Sequence, residues 1–233
     1  MSSQPNQSLI DGLACLQLLA SVKEPIGGSE LARRLELNGM RANRLLKTLA
    51  NIGLAQQNKK SKYSIGPGIH TLTAQALFGS NLLNKILPEI KKISHTGMTI
   101  AVGVLWREHV TYLFHGVIGE DLEKGLGQIG LYPFHKSSIG MLLLSHERDE
   151  YIKNLLERLE LGGDTEELFT SIKKIRKDKF ALVKSENKPP HFSLALPIAN
   201  PVIASIAISG IPTTEDITPY INELRDTIKR IEL

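Results

Sequence analysis

The stretch Asn38-Gly-Met-Arg-Ala-Asn-Arg-Leu-Leu-Lys-Thr-Leu-Ala-Asn-Ile-Gly53 decides how the first part of this chain folds. Asn38 is a helix N-cap residue whose short side chain can accept from the first unpaired amides. Gly53 supplies the left-handed residue with which a helix commonly ends. Between them Ala42, Leu45, Leu46 and Leu49 fall within about 100° of one another on a helical wheel. The opposite side carries Met40, Arg41, Asn43, Arg44, Lys47 and Thr48. One face is an anchor. The other offers the forked donors and cations that read guanine edges and neutralise phosphates.

The flanking sequence completes the unit. Leu9, Leu13, Leu16 and Ala20, with Ile10, Ala14 and Leu18, give helical spacing over Leu9 to Ala20, and Ser8 is placed to cap it. Glu24-Pro-Ile-Gly-Gly28 breaks that helix. Ser29 is expected to cap a short second helix with Leu31, Ala32 and Leu35 inward. Three short helices with tight turns predict a helix-turn-helix. Behind them, Leu54-Ala-Gln-Gln57 and Lys62-Tyr-Ser-Ile65 flank the polar tip Asn58-Lys-Lys-Ser61, a β-hairpin pattern stopped by Gly66-Pro67-Gly68. A hairpin directly after the three helices makes the motif winged. Lys59, Lys60 and Lys62 of the wing would meet phosphates beside the groove, and Tyr63 would pack in the hairpin base.

Charge follows the same division. The 233 residues carry a net +4, yet residues 1–66 alone hold nine Lys/Arg against four Asp/Glu. The remainder is close to neutral, so the cationic excess sits at one end, as a polyanion partner requires. Hydrophobic residues at 42% and charged residues at 22% suit a packed globular chain. No apolar run approaches the ~18–20 residues of a membrane span, and Met1 to Asn6 lacks the apolar core of a signal peptide. The single cysteine, Cys15, excludes an intrachain disulfide. A reduced, cytoplasmic protein is expected.

Beyond Gly68 a helical pattern runs from Ile69 to Ile93, with Pro88 expected to kink or restart it. Its Ile69–Leu83 part is more apolar than a linker needs and suggests a subunit interface. Thr99–Leu105 and Val110–His115 read as paired strands around Trp106-Arg-Glu-His109. Ser137–His146 reads as a helix, followed by a charged helical stretch to about Arg158, an interruption at Gly162-Gly163 and a basic amphipathic helix over Glu166–Lys179. Phe180–Lys184, Ser193–Ile198 and Val202–Ser209 read as strands, the last central in its sheet because it is apolar on both faces. Ile217–Ile231 closes the chain as a helix.

Glu30-Leu-Ala-Arg-Arg-Leu-Glu-Leu37, Arg44-Leu-Leu-Lys-Thr-Leu49, Gly53-Leu54 and Tyr63-Ser-Ile-Gly-Pro67 resemble, in order and spacing, the winged helix-turn-helix of IclR-type bacterial transcription regulators. Tyr132-Pro-Phe-His-Lys-Ser-Ser-Ile-Gly140 resembles the stretch that opens a helix of that family's effector domain. Ala195-Leu-Pro-Ile198 and Ile206-Ala-Ile-Ser-Gly210 resemble its closing strands. The resemblance implies an α+β chain: a winged helix-turn-helix (1–68), a linker helix (69–84) and a GAF-like α/β effector domain (85–233). It implies operator DNA, a small-molecule effector and a homodimer or homotetramer as partners.

Carried over by position, the resemblance places the ligand-binding residues at Ser138, Ile139, Gly140, Val183, Ser193, Ala207 and Ser209. The amides of a helix N-terminus suit a carboxylate. The sequence departs from the family at Val183, usually acidic, and at Ser193, usually cysteine. Glu36 stands where glycine is common, and Met40-Arg41 where a Ser-Thr pair is common. These changes imply a less polar pocket, fitted to a carboxylate with an apolar or aromatic body, and an operator particular to this chain.

No H-E-x-x-H, phosphate-binding glycine loop or G-x-S-x-G motif is present among the residues. No cofactor, metal site or catalytic set is therefore expected. His135 reads as a structural hydrogen-bonding residue, and Ser137 and Ser138 as caps. Two other readings stand beside a DNA-binding regulator. One is a small-molecule-binding or enzymatic GAF-like protein whose N-terminal module binds RNA or a protein. The other is a regulator whose pocket no longer binds anything.

Overall fold

A computed structural model describes residues 4–126, 131–159, 165–185 and 187–231. The Gly162-Gly163 interruption lies outside the described residues. The chain divides into two compact units, Met1–Asn81 and Leu82–Leu233.

The first unit contains α1 (Gln7–Ser21), β1 (Ile26–Gly27), α2 (Gly28–Arg34), α3 (Gly39–Asn51), β2 (Ala55–Gln57), β3 (Lys62–Ile65) and α4 (Pro67–Ser80). Its core joins Cys15 and Leu19 of α1, Leu31 of α2, Leu46 and Leu49 of α3, and Tyr63 of the hairpin. Asn38 caps α3 as expected, its side chain accepting from the Met40 amide at 2.8 Å. The other two caps differ from expectation. Asn6, not Ser8, caps α1, because its Oδ1 reaches both the Ser8 and Leu9 amides, at 3.0 and 3.1 Å. Ser29 caps nothing. Ile26-Gly27 is not simply a breaker but a strand paired with Tyr63 and Lys62, and α2 starts directly from it at Gly28.

Helices α2 and α3 end in the same way. The Leu37 amide donates to Ala32 O (2.9 Å) and the Glu36 amide to Arg33 O (3.3 Å). The Leu54 amide donates to Leu49 O (2.9 Å) and the Gly53 amide to Ala50 O (3.1 Å). Both are Schellman closures, which need a left-handed residue. Gly53 supplies it at φ 77°, but Glu36 is held at φ 53° with a side chain present. Such a conformation costs a non-glycine residue about 1 kcal/mol or more. Glu36→Gly is therefore expected to stabilise the first unit by about 1 kcal/mol, with Glu36→Ala giving no gain. Urea unfolding checks this, and an unchanged midpoint for Glu36→Gly would show the turn to be unstrained.

The helical stretch after Gly68 is broken at Asn81, which sits at φ 52°, and not at Pro88. Asparagine tolerates that conformation. Pro88 lies inside α5 (Leu82–Ile90).

The second unit continues with β4 (Thr99–Trp106), β5 (His109–Val117), β6 (Leu131–Pro133), α6 (Ser138–Ser145), α7 (Asp149–Arg158), α8 (Thr165–Asp178), β7 (Ala181–Ser185), β8 (His191–Ile198), β9 (Ala204–Pro212) and α9 (Thr218–Arg230). The charged stretch ending at Arg158 is α7, separate from α6 as expected. The sheet order is β6-β5-β4-β9-β8-β7, and every pairing is antiparallel. Strand β9 is internal, as its two apolar faces imply, but Val202 and Ile203 precede it.

Residue size alternates across this sheet. Ile100, Val102, Leu194, Leu196, Ile206 and Ile208 face one core, which Ile86 and Ile90 of α5 and Leu224 of α9 complete. Ala101, Ala195 and Ala207 face the other, with Ile139 and Leu142 of α6, Leu156 of α7 and Ile172 of α8. Alanines let α6 lie close to the sheet. The far end of α6 is fixed by Arg176, whose guanidinium donates to Ser145 O (2.6 Å) and Glu147 O (2.7 Å) and pairs with Asp149 (2.6 Å). A cation there also complements the helix dipole.

Candidate functional site

In the first unit the apolar side of α3 is seated, with Ala42 and Leu46 fully buried and Leu45 half-buried. Met40, Asn43, Arg44, Lys47 and Thr48 are exposed. Thr48 Oγ1 donates to Arg44 O at 2.9 Å, so its hydroxyl hydrogen is engaged on its own helix. Arg41 departs from the expected outward face. It is half-buried, its Nε 2.6 Å from Oδ2 of the buried Asp11, whose Oδ1 accepts from Gln7 Nε2 at 2.8 Å. A carboxylate taken out of water needs a cation, so Arg41 ties α3 to α1.

The hairpin tip is organised by Asn58, whose Oδ1 accepts from the Lys60 and Lys62 amides at 2.9 and 3.0 Å. Lys59, Lys60 and Lys62 are exposed around it. Cys15 is buried and its thiol is pushed up to about 11, by desolvation first and then by Asp11. A thiol so protonated is a core residue, not a nucleophile.

The second unit holds a cavity of about 680 Å³ under the N-terminus of α6. Strand register builds its floor. Val183 pairs with Ser193, Ser193 with Ser209, and Ser209 with Thr99. Two residues along each strand, on the same face, lies the row Ala181, Ala195, Ala207 and Ala101. Where that row is alanine, α6 packs down. Where it becomes Val183, Ser193, Ser209 and Thr99, space opens. Ser138 Oγ and Ser193 Oγ share a hydrogen bond at 2.8 Å, joining helix to floor. Ser137 caps α6, accepting from the Gly140 amide at 3.3 Å, and shares a 3.1 Å hydrogen bond with Tyr112.

Six of the seven expected pocket residues line this cavity: Ser138, Ile139, Val183, Ser193, Ala207 and Ser209. Gly140 does not. A Cβ there would lie 2.4 Å from Phe134 O and 2.5 Å from Phe134 Cα. Its role is to let α6 sit on the short 3₁₀ turn Phe134–Lys136.

The walls escaped sequence reading. Tyr112 and His115 both line the cavity although three residues apart on β5. A β-bulge opposite Val102 and Gly103 inserts one extra residue between them and restores them to one face. Tyr132, Lys136, Lys184, Asn187 and His191 also line it. The expected low polarity does not hold: of the described lining residues only Ala101, Ile139, Val183 and Ala207 are apolar. Among the described lining residues none is Asp or Glu, and Lys136 and Lys184 bring positive charge to the cavity. His135 has no structural hydrogen bond at Nδ1, which is buried and unpartnered, and its ring meets Phe134 edge-on at 5.5 Å.

Burial pushes His115 and His135 below the ordinary imidazole value, Lys136 adding to the shift of His135. Both are then neutral at pH 7 when folded. Because the unfolded chain binds these protons more readily, they stabilise the fold above about pH 6.5 and that stability is lost as pH falls through 6.5 toward their lowered values. Melting temperature is expected to fall between pH 7 and 5, and less so with an anion bound. A fall of the same size in His115→Gln/His135→Gln would show that other groups carry it.

Proteins named as transcriptional regulators are similar to this chain. The HTH-type transcriptional regulator KdgR of Escherichia coli (strain K12) is 27% identical over 251 residues, spanning 99% of this chain and 94% of that protein. An IclR family transcriptional regulator from Brucella abortus matches with a TM-score of 0.77 at 20% identity, covering 98% of this chain and 92% of that one. An IclR homolog from Microbacterium hydrocarbonoxydans, solved with 4-hydroxybenzoate, gives a TM-score of 0.66 at 19% identity, covering 96% and 97%. The profile described as bacterial transcriptional regulator IclR C-terminal matches residues 74–232. The chain belongs to the IclR family of bacterial transcriptional regulators. Among the described residues no helix is long and apolar enough to cross a membrane.

Proposed function

We propose that this regulator binds operator DNA through its first unit and is controlled by a small carboxylate bound in its second. Residues 1–68 act as a winged helix-turn-helix, 69–84 as a linker whose helix α4 ends at Ser80, and 85–233 as a GAF-like effector domain. Helix α3 enters the major groove with Met40, Asn43, Arg44, Lys47 and Thr48, and Arg41 positions it while lying beside the same face. Lys59, Lys60 and Lys62 contact backbone phosphates. The carboxylate takes the N-terminal end of α6 at Ser138 and Ile139, where helix amides favour an anion. The Microbacterium relative solved with an aromatic carboxylate supports that ligand class.

The observation that carries this reading is the exposed cationic set on α3 and the hairpin, opposite a sealed apolar face. A winged helix reads one half-site, so a homodimer or dimer of dimers on a pseudo-palindrome follows. Exposed Leu72 of α4 marks a surface for that assembly. The site of action is the cytoplasm, where the DNA is. The test compares full-length protein with residues 82–233 on a duplex selected from a random library, with sedimentation in parallel. Binding by full-length dimers alone is expected. Equal binding by residues 82–233, or a stable monomer at micromolar concentration, would overturn the reading.

A further inference from the structure

We infer that the effector cavity has a second chamber, and that its ligand is an amphipathic carboxylic acid whose apolar tail occupies it. This rests on the carboxylate end being held at the α6 N-terminus. A separate cavity of about 500 Å³ lies between α8 and the edge strand β7. His135, Val183 and Lys184 line both this cavity and the one beneath α6. These three residues are therefore the partition between two adjoining spaces. Beyond it Met141, Leu168, Ile175 and Phe180 give an apolar wall, the exposed Leu182 lies at its edge, and Ser171 and Asp178 are its polar members. The exposed Glu167 and Lys174 belong to its solvent mouth.

Two features of the partition select what crosses it. Val183 neither donates nor accepts a hydrogen bond, so a polar group held against it loses water without replacement, whereas a methylene does not. His135 presents a buried Nδ1 with no partner. An orphaned buried polar atom calls for one, and a hydroxyl or carbonyl carried part-way along the ligand supplies it. The ligand class is thus a carboxylate head, a polar atom in mid-chain and an apolar tail.

Calorimetry of the full-length protein with butyrate, octanoate and 4-oxooctanoate tests this, using wild type, Leu168→Trp, Leu182→Trp and Ser138→Trp. In wild type octanoate is expected to bind at least about tenfold tighter than butyrate, each buried methylene being worth about fourfold. Either tryptophan in the second chamber should remove that advantage and leave butyrate within about twofold of wild type. The 15N signal of His135 Nδ1 should shift with 4-oxooctanoate. Two tryptophan variants that fold and keep the full octanoate advantage would overturn the second chamber while leaving the carboxylate site standing. Failure of all three acids to bind wild type, or undiminished butyrate binding by Ser138→Trp, would overturn both.

Discussion

Replacing Lys59, Lys60 and Lys62 together by alanine is expected to lower the log–log salt slope of duplex binding by about 2.7 per winged module. Each lysine over a phosphate releases close to one counterion, and all three are exposed at the tip that Asn58 shapes. At about 0.15 M salt the same loss weakens binding roughly 100-fold per module, for cognate and random duplexes alike. Arg44→Ala should behave differently, costing about 1–3 kcal/mol at the cognate site and little elsewhere, because a guanidinium on base edges carries sequence information. Arg41→Ala should lower melting temperature as well as affinity, since it leaves the buried carboxylate of Asp11 without its cation. Fluorescence anisotropy across a salt series separates these outcomes. An unchanged slope in the triple variant would remove the hairpin from the interface.

Gly140→Ala is the single substitution expected to damage the second unit most. The added methyl would meet backbone atoms of Phe134 at 2.4 and 2.5 Å, and Phe134 is fully buried. Neither partner can rotate away as a flexible side chain would. Helix α6 must lift from the turn, at a cost of about 3 kcal/mol, or roughly a 10 °C fall in melting temperature for a domain of this size. Lifting α6 also separates Ser138 from Ser193, so carboxylate affinity should drop with stability. Gly79→Ala, where a Cβ meets nothing within 4 Å, is the neutral control. Equal melting temperatures for the two variants would show that close packing on Phe134 does not hold the site together.

Local chemistry was legible where one residue type dictates one geometry. Asn38 and Gly53 bound α3, and the polar tip between Gln57 and Lys62 set the hairpin. The pocket floor was legible only through resemblance, because Ser193, Ser209 and Val183 meet through strand pairing that spacing along the chain does not display. The walls were hidden for a further reason. A strand alternates its faces every residue, which puts Tyr112 and His115 on opposite sides, and only the bulge opposite Val102 and Gly103 reverses this. Cap positions failed where two residues compete: Asn6 and Ser8 both suit the start of α1, and Asn6 wins by reaching two amides. Pro88 looked like the break, yet a proline near the end of a short helix forfeits only one intrahelical bond, while Asn81 can turn the chain outright. Gly140 was identified as part of the right segment but with the wrong role, since nothing in the sequence shows that Phe134 lies beneath it.

The central claim is that occupancy of the α6 cavity changes operator binding. It is tested by measuring duplex affinity of the full-length protein with and without saturating octanoate, in wild type and in Ser138→Trp. The expected result is a shift in duplex Kd of about 5- to 150-fold in wild type, the usual span of coupling between two sites, with unaltered ligand-free affinity and no shift in Ser138→Trp. A full shift that persists in Ser138→Trp, or octanoate binding to wild type with no change in duplex affinity, would contradict it.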